Sequence, residues 1–201
     1  MYRQSWFIKV GTLGFHLILL NICFWLGSVL GLGIIGFFPS LAALFYVLRQ
    51  MIVFKDDDDV FKKYWKSYKE NLLKANLLGY LYVLAVAILY GNYRVALLID
   101  HALFSKGYFF IIILLTAIVI LSLMTVFPVF VHYHFPLRDY PKVALIYSVA
   151  RPIQTIISVG LVYVLAQVML AYAALFLLLG VSLMAYVLMR VAATHFLKVD
   201  D

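Results

Sequence analysis

The sequence predicts an all-α integral membrane protein with about six transmembrane helices. Of its 201 residues, 66% are hydrophobic and 12% are charged, and its mean hydropathy is +1.04. A soluble domain carries about 25% charged residues. The long apolar runs between charge clusters leave no segment that would form a sizeable soluble domain. We therefore expect residues 1–201 to form a single integral membrane domain.

The length of the uncharged runs predicts where the spans lie. Residues 10–48 are uncharged and too many for one crossing of a ~30 Å hydrocarbon core at about 1.5 Å per residue. Gly31, Gly33, Gly36 and Pro39 mark where the chain turns. Because proline suits the first turn of a helix, Pro39 is expected to start a second, barely sufficient span. Length alone divides residues 152–189 near Ala171–Ala173. The predicted spans are 13–35, 39–54, 72–90, 108–134, 152–171 and 173–190.

Two further patterns concern the shape and packing of the spans. Pro128 is expected to kink the fourth one. Gly27 and Gly31 are four residues apart in the first span, a spacing that allows close helix packing within this protein or with another.

The distribution of basic residues predicts the orientation. With six spans, fourteen of the sixteen Lys and Arg residues fall on one side, and Arg94 and Lys106 fall on the other. The positive-inside rule then places both termini in the cytoplasm. Orientation in the membrane explains the net charge of +7 better than nucleic-acid binding does.

Two pairs of segments within the chain have similar sequences. GYLYVLAVAIL at 79–89 echoes GLVYVLAQVML at 160–170, and Phe38-Pro39 before Arg49 echoes Phe127-Pro128 before Arg138. Chance matches are common in a chain so rich in a few apolar residues. A parallel internal repeat and a coincidence both remain open.

The segment between the second and third spans is predicted to be a cytoplasmic amphipathic helix. At about 100° per residue, one side carries the aromatic residues and the other the lysines. The aromatic residues are Phe61, Tyr64, Trp65 and Tyr68, and the lysines are Lys62, Lys63, Lys66 and Lys69. Such a helix either lies in the headgroup layer, with lysines at anionic phosphates, or docks a protein partner through its aromatic residues.

The four aspartates before this helix, Asp56–Asp59, do not have the alternating ligand spacing of a calcium loop. We expect Asp59 to cap the helix instead. His132 and His134, two residues apart, would point to nearly opposite sides of a helix, which argues against joint metal ligation.

The predicted spans contain few side chains that could take part in catalysis or solute transport. Asn21 and Gln167 are the polar groups nearest to mid-membrane, and each either lines a solute path or hydrogen-bonds between helices. Acidic residues, which would form a proton relay, are missing from the predicted spans. Nor does the sequence offer a nucleophile with a base and an orienting group. We expect no enzyme, no catalytic residue, no cofactor and no metal.

Two stretches, GFFPSLAALFYVLRQM and FKKYWKSYKENLLKANLLG, resemble the YesL-like bacterial membrane proteins, a domain family of unknown function. The matching positions are Phe38, Pro39, Ala43, Leu44, Phe45, Phe61, Trp65, Tyr68, Lys69 and Asn71. The resemblance implies a place in the bacterial plasma membrane and association with ABC-type importers of oligosaccharides. It implies no catalytic or ligand-binding residue.

These observations lead to two functional expectations. The first is a non-enzymatic accessory subunit of a carbohydrate ABC importer, which follows from the resemblance and from the lack of a P-loop. Its partners would be permease subunits of the importer and anionic lipid headgroups. The alternative is a self-sufficient small-solute carrier or channel, acting alone or as a homo-oligomer, with Asn21 and Gln167 along its path.

Overall fold

A computed structural model describes residues 6–98 and 102–196, and all regular elements within these ranges are helical. Arg3 and Lys198, which contribute to the charge asymmetry, lie outside the described residues. The α-helices are α1 (Trp6–Leu30), α2 (Ile34–Val53), α3 (Val60–Glu70), α4 (Leu72–Ala96), α5 (Ala102–His132), α6 (Tyr140–Ala150), α7 (Pro152–Ala171), α8 (Ala173–Leu175) and α9 (Val181–Phe196). A 3₁₀ turn, Leu137–Asp139, precedes α6, and a π-helical segment, Phe176–Gly180, joins α8 to α9.

Six helical segments are long and apolar enough to cross a membrane. They are α1, α2, α4, α5, α7 and the continuous segment from α8 through α9. The break between the last two spans falls at Tyr172, where the sequence analysis divided the uncharged run. Pro128 lies inside α5 and is buried, while the kink expected there and the internal repeat both stay predictions.

Helix α2 lies at the centre of the fold. It contacts α1, α3, α4, α5 and α9, and its Ala42, Ala43 and Leu44 have no exposed surface. In the most apolar 18-residue stretch of α2, half of the residues are buried. In the corresponding stretches of α5 and α7, only 17% of the residues are buried. The well-packed part of the protein is therefore built around α2, and α5 and α7 present most of their apolar surface outward.

The turn between α1 and α2 differs from its prediction. Helix α1 ends at Leu30 instead of residue 35, and α2 begins at Ile34, so that Pro39 lies inside α2 and not in its first turn. Leu32 and Gly33 have positive φ angles of 55° and 75°, a conformation that glycine adopts without steric cost. The glycine-rich turn, and not the proline, thus sets where the chain reverses.

Because Pro39 has no backbone N–H, the carbonyl of Ile35 loses its helical partner. The Asn76 Nδ2 atom on α4 donates to that carbonyl at 2.8 Å, and also to the Leu72 carbonyl of its own helix. A buried side chain from a later helix therefore satisfies the oxygen that the proline frees.

Close packing at Gly27 and Gly31 takes place within this protein. A Cβ atom on Gly27 would meet Ser40 Oγ at 2.5 Å and the Tyr64 hydroxyl at 3.1 Å. A Cβ atom on Gly31 would collide with the backbone of Gly36, at the start of α2. The two glycines let the end of α1 lie directly against α2 and α3.

Asn21 joins α1 to the π-helical segment. Its Nδ2 donates to the Leu177 carbonyl at 2.7 Å, and its Oδ1 accepts from the Ser182 N–H at 3.1 Å. Leu177 and Ser182 are five residues apart, the spacing of a π-helical hydrogen bond. The fully buried amide of Asn21 therefore takes the place of a backbone hydrogen bond. It has the interhelical role that the sequence left open as an alternative to a solute path.

We expect Gly31→Ala to destabilise the protein by about 1–3 kcal/mol, because the added methyl meets backbone atoms that cannot move aside. Gly160→Ala is the matched control, since a Cβ atom on Gly160 has no heavy atom within 4 Å. Thermal unfolding in detergent measures both. Equal midpoints for the two variants would contradict the close approach at Gly31.

Asn21→Leu should destabilise the protein by about 1–3 kcal/mol, because it leaves the Leu177 carbonyl and the Ser182 N–H without their partner. Gln167→Leu is the control, because Gln167 is exposed and makes no hydrogen bond among the described residues. The same unfolding measurement should show a lowered midpoint for Asn21→Leu only. A comparable drop for Gln167→Leu would argue against a special role for the Asn21 amide.

Candidate partner and membrane-contact surface

Helix α3 folds back against α1 and α2 and does not stand free. Tyr64 has no exposed surface, and its hydroxyl donates to the Ser40 carbonyl at 3.3 Å. Tyr68 is also buried, and its hydroxyl donates to the Gly27 carbonyl at 3.0 Å. The expectation that these two tyrosines contact a partner or the membrane surface is therefore wrong. Their rings pack inward because the ends of α1 and α2 offer an apolar groove with free lone pairs on backbone carbonyls.

The outward face of α3 is narrower than predicted. Phe61 has 54% of its surface exposed, whereas Trp65 is half-buried, with its ring edge-on to Phe61, Tyr64 and Tyr68. The exposed lysines are Lys62, Lys66 and Lys69. We define these three lysines and Phe61 as the outer α3 face, which remains the candidate surface for a partner or for lipid headgroups.

The acidic linker is organised by one ion pair. Lys63 Nζ lies 2.5 Å from Asp56 Oδ1, and the Asp58 N–H donates to the same oxygen at 3.3 Å. The hydrogen bond from Lys63 lowers the pKa of the Asp56 carboxyl below its ordinary value. Lys63 is therefore engaged within the protein and is not part of the outer α3 face.

Asp59 occupies the position before α3, as predicted, but its side chain makes no capping hydrogen bond. Its backbone is left-handed, with φ 48°, whereas a capping residue is normally extended. The prediction of a side-chain cap is therefore wrong. Among the described residues, no group of three or more His, Cys, Asp or Glu side chains is placed to hold a metal ion.

The two histidines at the C-terminal end of α5 and just beyond it do not form a pair. Arg49 Nε donates to His132 Nδ1 at 3.0 Å, and the Arg49 guanidinium lies 4.9 Å from the centre of the Phe54 ring. His134 is exposed. Arg49 and His132 thus connect the end of α2 to the end of α5.

Sequence reasoning missed a network of hydroxyl groups that joins α4, α5, α6 and α7. Thr125 Oγ1 donates to the Ala144 carbonyl at 2.8 Å, and Ser148 Oγ donates to the Leu121 carbonyl at 2.8 Å. Further hydrogen bonds are Tyr82 to Ser122, Ser122 to Pro141, Thr125 to Ser148, and Thr155 to Ser148. The signal that could have revealed it is the presence of Ser122 and Thr125 within an otherwise apolar span.

This network has a structural role. Its hydroxyls are bonded to backbone carbonyls or to one another, so none of them is paired with a base that would make it a nucleophile. Inside a membrane such hydrogen bonds hold helices together. Gln167 differs, because it is exposed on α7 and reaches none of these groups.

Comparisons with known proteins show that the chain is similar to proteins of Bacillus subtilis (strain 168). The model of a family described as "Protein of unknown function, DUF624" matches residues 17–93. Uncharacterized protein YteU is 34% identical over 180 residues, which cover 87% of this chain and 78% of that protein. Uncharacterized protein YesV is 33% identical over 136 residues, covering 68% of this chain and 65% of that protein.

Uncharacterized protein YesL of the same organism is 29% identical over 183 residues, covering 90% of this chain and 85% of that protein. No solved structure matches. The family match runs from α1 to α4 and includes the α1–α2 turn and α3, where the resemblance in the sequence is concentrated. The chain belongs to the YesL-like family of helical membrane proteins, DUF624.

Proposed function

We propose that the protein is a non-enzymatic accessory subunit that binds, assembles or regulates an ABC-type carbohydrate importer. It would lie in the bacterial plasma membrane with both termini in the cytoplasm. Its partners would be the permease subunits of the importer, and anionic lipid headgroups would contact its basic cytoplasmic segments. The association with oligosaccharide importers that the family resemblance implies supports this choice of partner.

The observation that carries the proposal is the uneven burial of the spans. In the most apolar 18-residue stretches of α5 and α7, only 17% of the residues are buried, against 50% in that of α2. Large apolar side chains such as Phe110, Ile156 and Leu170 are exposed on these two helices. Lipid or the helices of another membrane protein must cover such surfaces, and a helix of a permease could pack on them through shape and small residues.

The polar groups of the spans support a binding role over catalysis or transport. The Asn21 amide is fully buried and makes hydrogen bonds to the π-helical segment. Gln167 faces outward. The two residues that suggested a solute path thus lie in different environments, which favours the accessory role over the carrier alternative.

A tagged copy of the protein should recover importer permeases from bacteria grown on the relevant oligosaccharide. The combined variant Phe61→Ser, Lys62→Gln, Lys66→Gln should lower this recovery by about tenfold if the outer α3 face is a central contact. Tyr64→Phe is the matched control, since it removes only the internal hydrogen bond to Ser40. Quantitative mass spectrometry of the eluates measures the recovery.

Two outcomes of that experiment are informative beyond the expected one. If the unmodified protein recovers no permease, the accessory role is wrong. If the triple variant recovers as much permease as the unmodified protein, the outer α3 face is a membrane-surface contact and the partner binds elsewhere.

Liposomes that contain the purified protein are expected to remain tight to mono- and oligosaccharides, because Asn21 is held in hydrogen bonds between helices and Gln167 faces outward. The measurement is release of trapped radiolabelled sugar, compared with protein-free liposomes. Release that Gln167→Ala abolishes would instead support the carrier or channel.

A further inference from the structure

The ends of α1, α2 and α9 surround an open cleft of about 410 Å³. Lys9 contributes from the first turns of α1, Lys55 from the linker after α2, and Arg190 from α9. Asp57 is the one carboxylate on its rim among the described residues. The remaining lining residues are Thr12, Leu13, His16, Met51, Ile52 and Tyr186. We call this the cation cleft.

The cations of the cleft are not neutralised within the described part of the protein. The ion pairs found there join Lys63 to Asp56, Lys66 to Glu70 and Arg138 to Asp139, and none includes Lys9, Lys55 or Arg190. The last three side chains are exposed. Folding therefore brings three positive charges from distant parts of the sequence to one cleft that has a single carboxylate, Asp57, among the described residues. The net positive charge favours the binding of an anion.

One polar atom in the cleft wall has no partner within the described part of the chain. The Nδ1 atom of His16 is buried and has no hydrogen-bond partner among the described residues. Lys55 directly follows the C-cap of α2, and its left-handed φ angle of 54° is the usual way to end a helix. The end of α2 thus holds the Lys55 backbone in place beside the cleft.

We propose that the cation cleft binds a phosphate-bearing anion. Lys9 and Lys55 would donate from ammonium groups, and the planar guanidinium of Arg190 would donate two hydrogen bonds to one phosphate group. Leu13, Met51 and Ile52 add an apolar wall that suits the glycerol and first methylenes of a lipid. The phosphate group is common to an anionic lipid headgroup and to a free phosphate compound, and the experiment below separates these sources.

The test uses the full-length protein and two probes. The first is inorganic phosphate, added to protein in non-ionic detergent at constant ionic strength, with binding followed by the thermal unfolding midpoint. The second is phosphatidylglycerol, with the protein reconstituted in nanodiscs of equimolar phosphatidylcholine and phosphatidylglycerol and retained lipid counted by native mass spectrometry. The variant is Lys55→Gln with Arg190→Gln. The control is Arg94→Gln with Lys106→Gln, which removes the same charge from exposed residues of α4 and α5.

We expect the cleft variant to weaken binding of the effective probe by about tenfold or more, as the loss of charge-assisted contacts predicts. The control variant should bind as the unmodified protein does. Arg190→Lys keeps the charge but loses the paired guanidinium donors, so its affinity should lie between those of the unmodified protein and the cleft variant. Because the substituted side chains are exposed and their removal relieves charge repulsion, the midpoint without ligand should not fall, which separates lost binding from lost folding.

Each outcome decides the proposal. A cleft-dependent effect of phosphatidylglycerol alone identifies a lipid headgroup site, and a cleft-dependent effect of inorganic phosphate alone identifies a site for a free phosphate compound. Effects of both identify the phosphate group itself as the ligand. Binding of neither probe, or equal losses in the cleft and control variants, would overturn the proposal.

Discussion

The need to satisfy backbone polar groups inside the membrane-spanning part underlies the whole structure. Without water, a freed carbonyl or N–H must find a partner in the protein. Pro39 leaves the Ile35 carbonyl without its helical partner, and the Asn76 amide donates to it. At the π-helical segment, the Asn21 amide bonds to the Leu177 carbonyl and the Ser182 N–H. In both places an amide from a distant helix completes the backbone hydrogen bonding, so each irregularity also joins two helices.

Buried tyrosine hydroxyls also need hydrogen-bond partners, and this need accounts for the position of α3. The hydroxyls of Tyr64 and Tyr68 bind carbonyls of Ser40 and Gly27, which lie close to the α1–α2 turn. An amphipathic helix that resembles a free membrane-surface element is therefore part of the core around α2. Its lysines remain outside, so α3 presents a basic face on a firmly held support, an arrangement suited to binding a partner or a membrane surface.

The protein has two unequal parts in terms of packing. Around α2 the residues are small or well buried, while α5 and α7 expose most of their apolar surface. The hydroxyl network of Thr125, Ser148 and their neighbours adds polar contacts between α5, α6 and α7. These contacts lie beside the apolar core that Phe127 and Phe130 of α5 share with α2. Surfaces of this kind are available for association with another membrane protein, whereas the cation cleft lies on the other helices, at the ends of α1, α2 and α9.

Composition and the length of the uncharged runs were sufficient to predict a helical membrane protein with six spans, because a bilayer sets the length of a span and excludes charge from it. The sequence also determined the amphipathic pattern of α3. Its glycines marked the region of the α1–α2 turn but not the start of α2, because Pro39 lies inside α2, where Asn76 satisfies the Ile35 carbonyl. Nor could periodicity tell that Tyr64 and Tyr68 face inward, because an aromatic stripe looks the same whether protein or lipid covers it. Those choices, and the meeting of Lys9, Lys55 and Arg190 in one cleft, depend on contacts between distant residues, which only the tertiary structure decides.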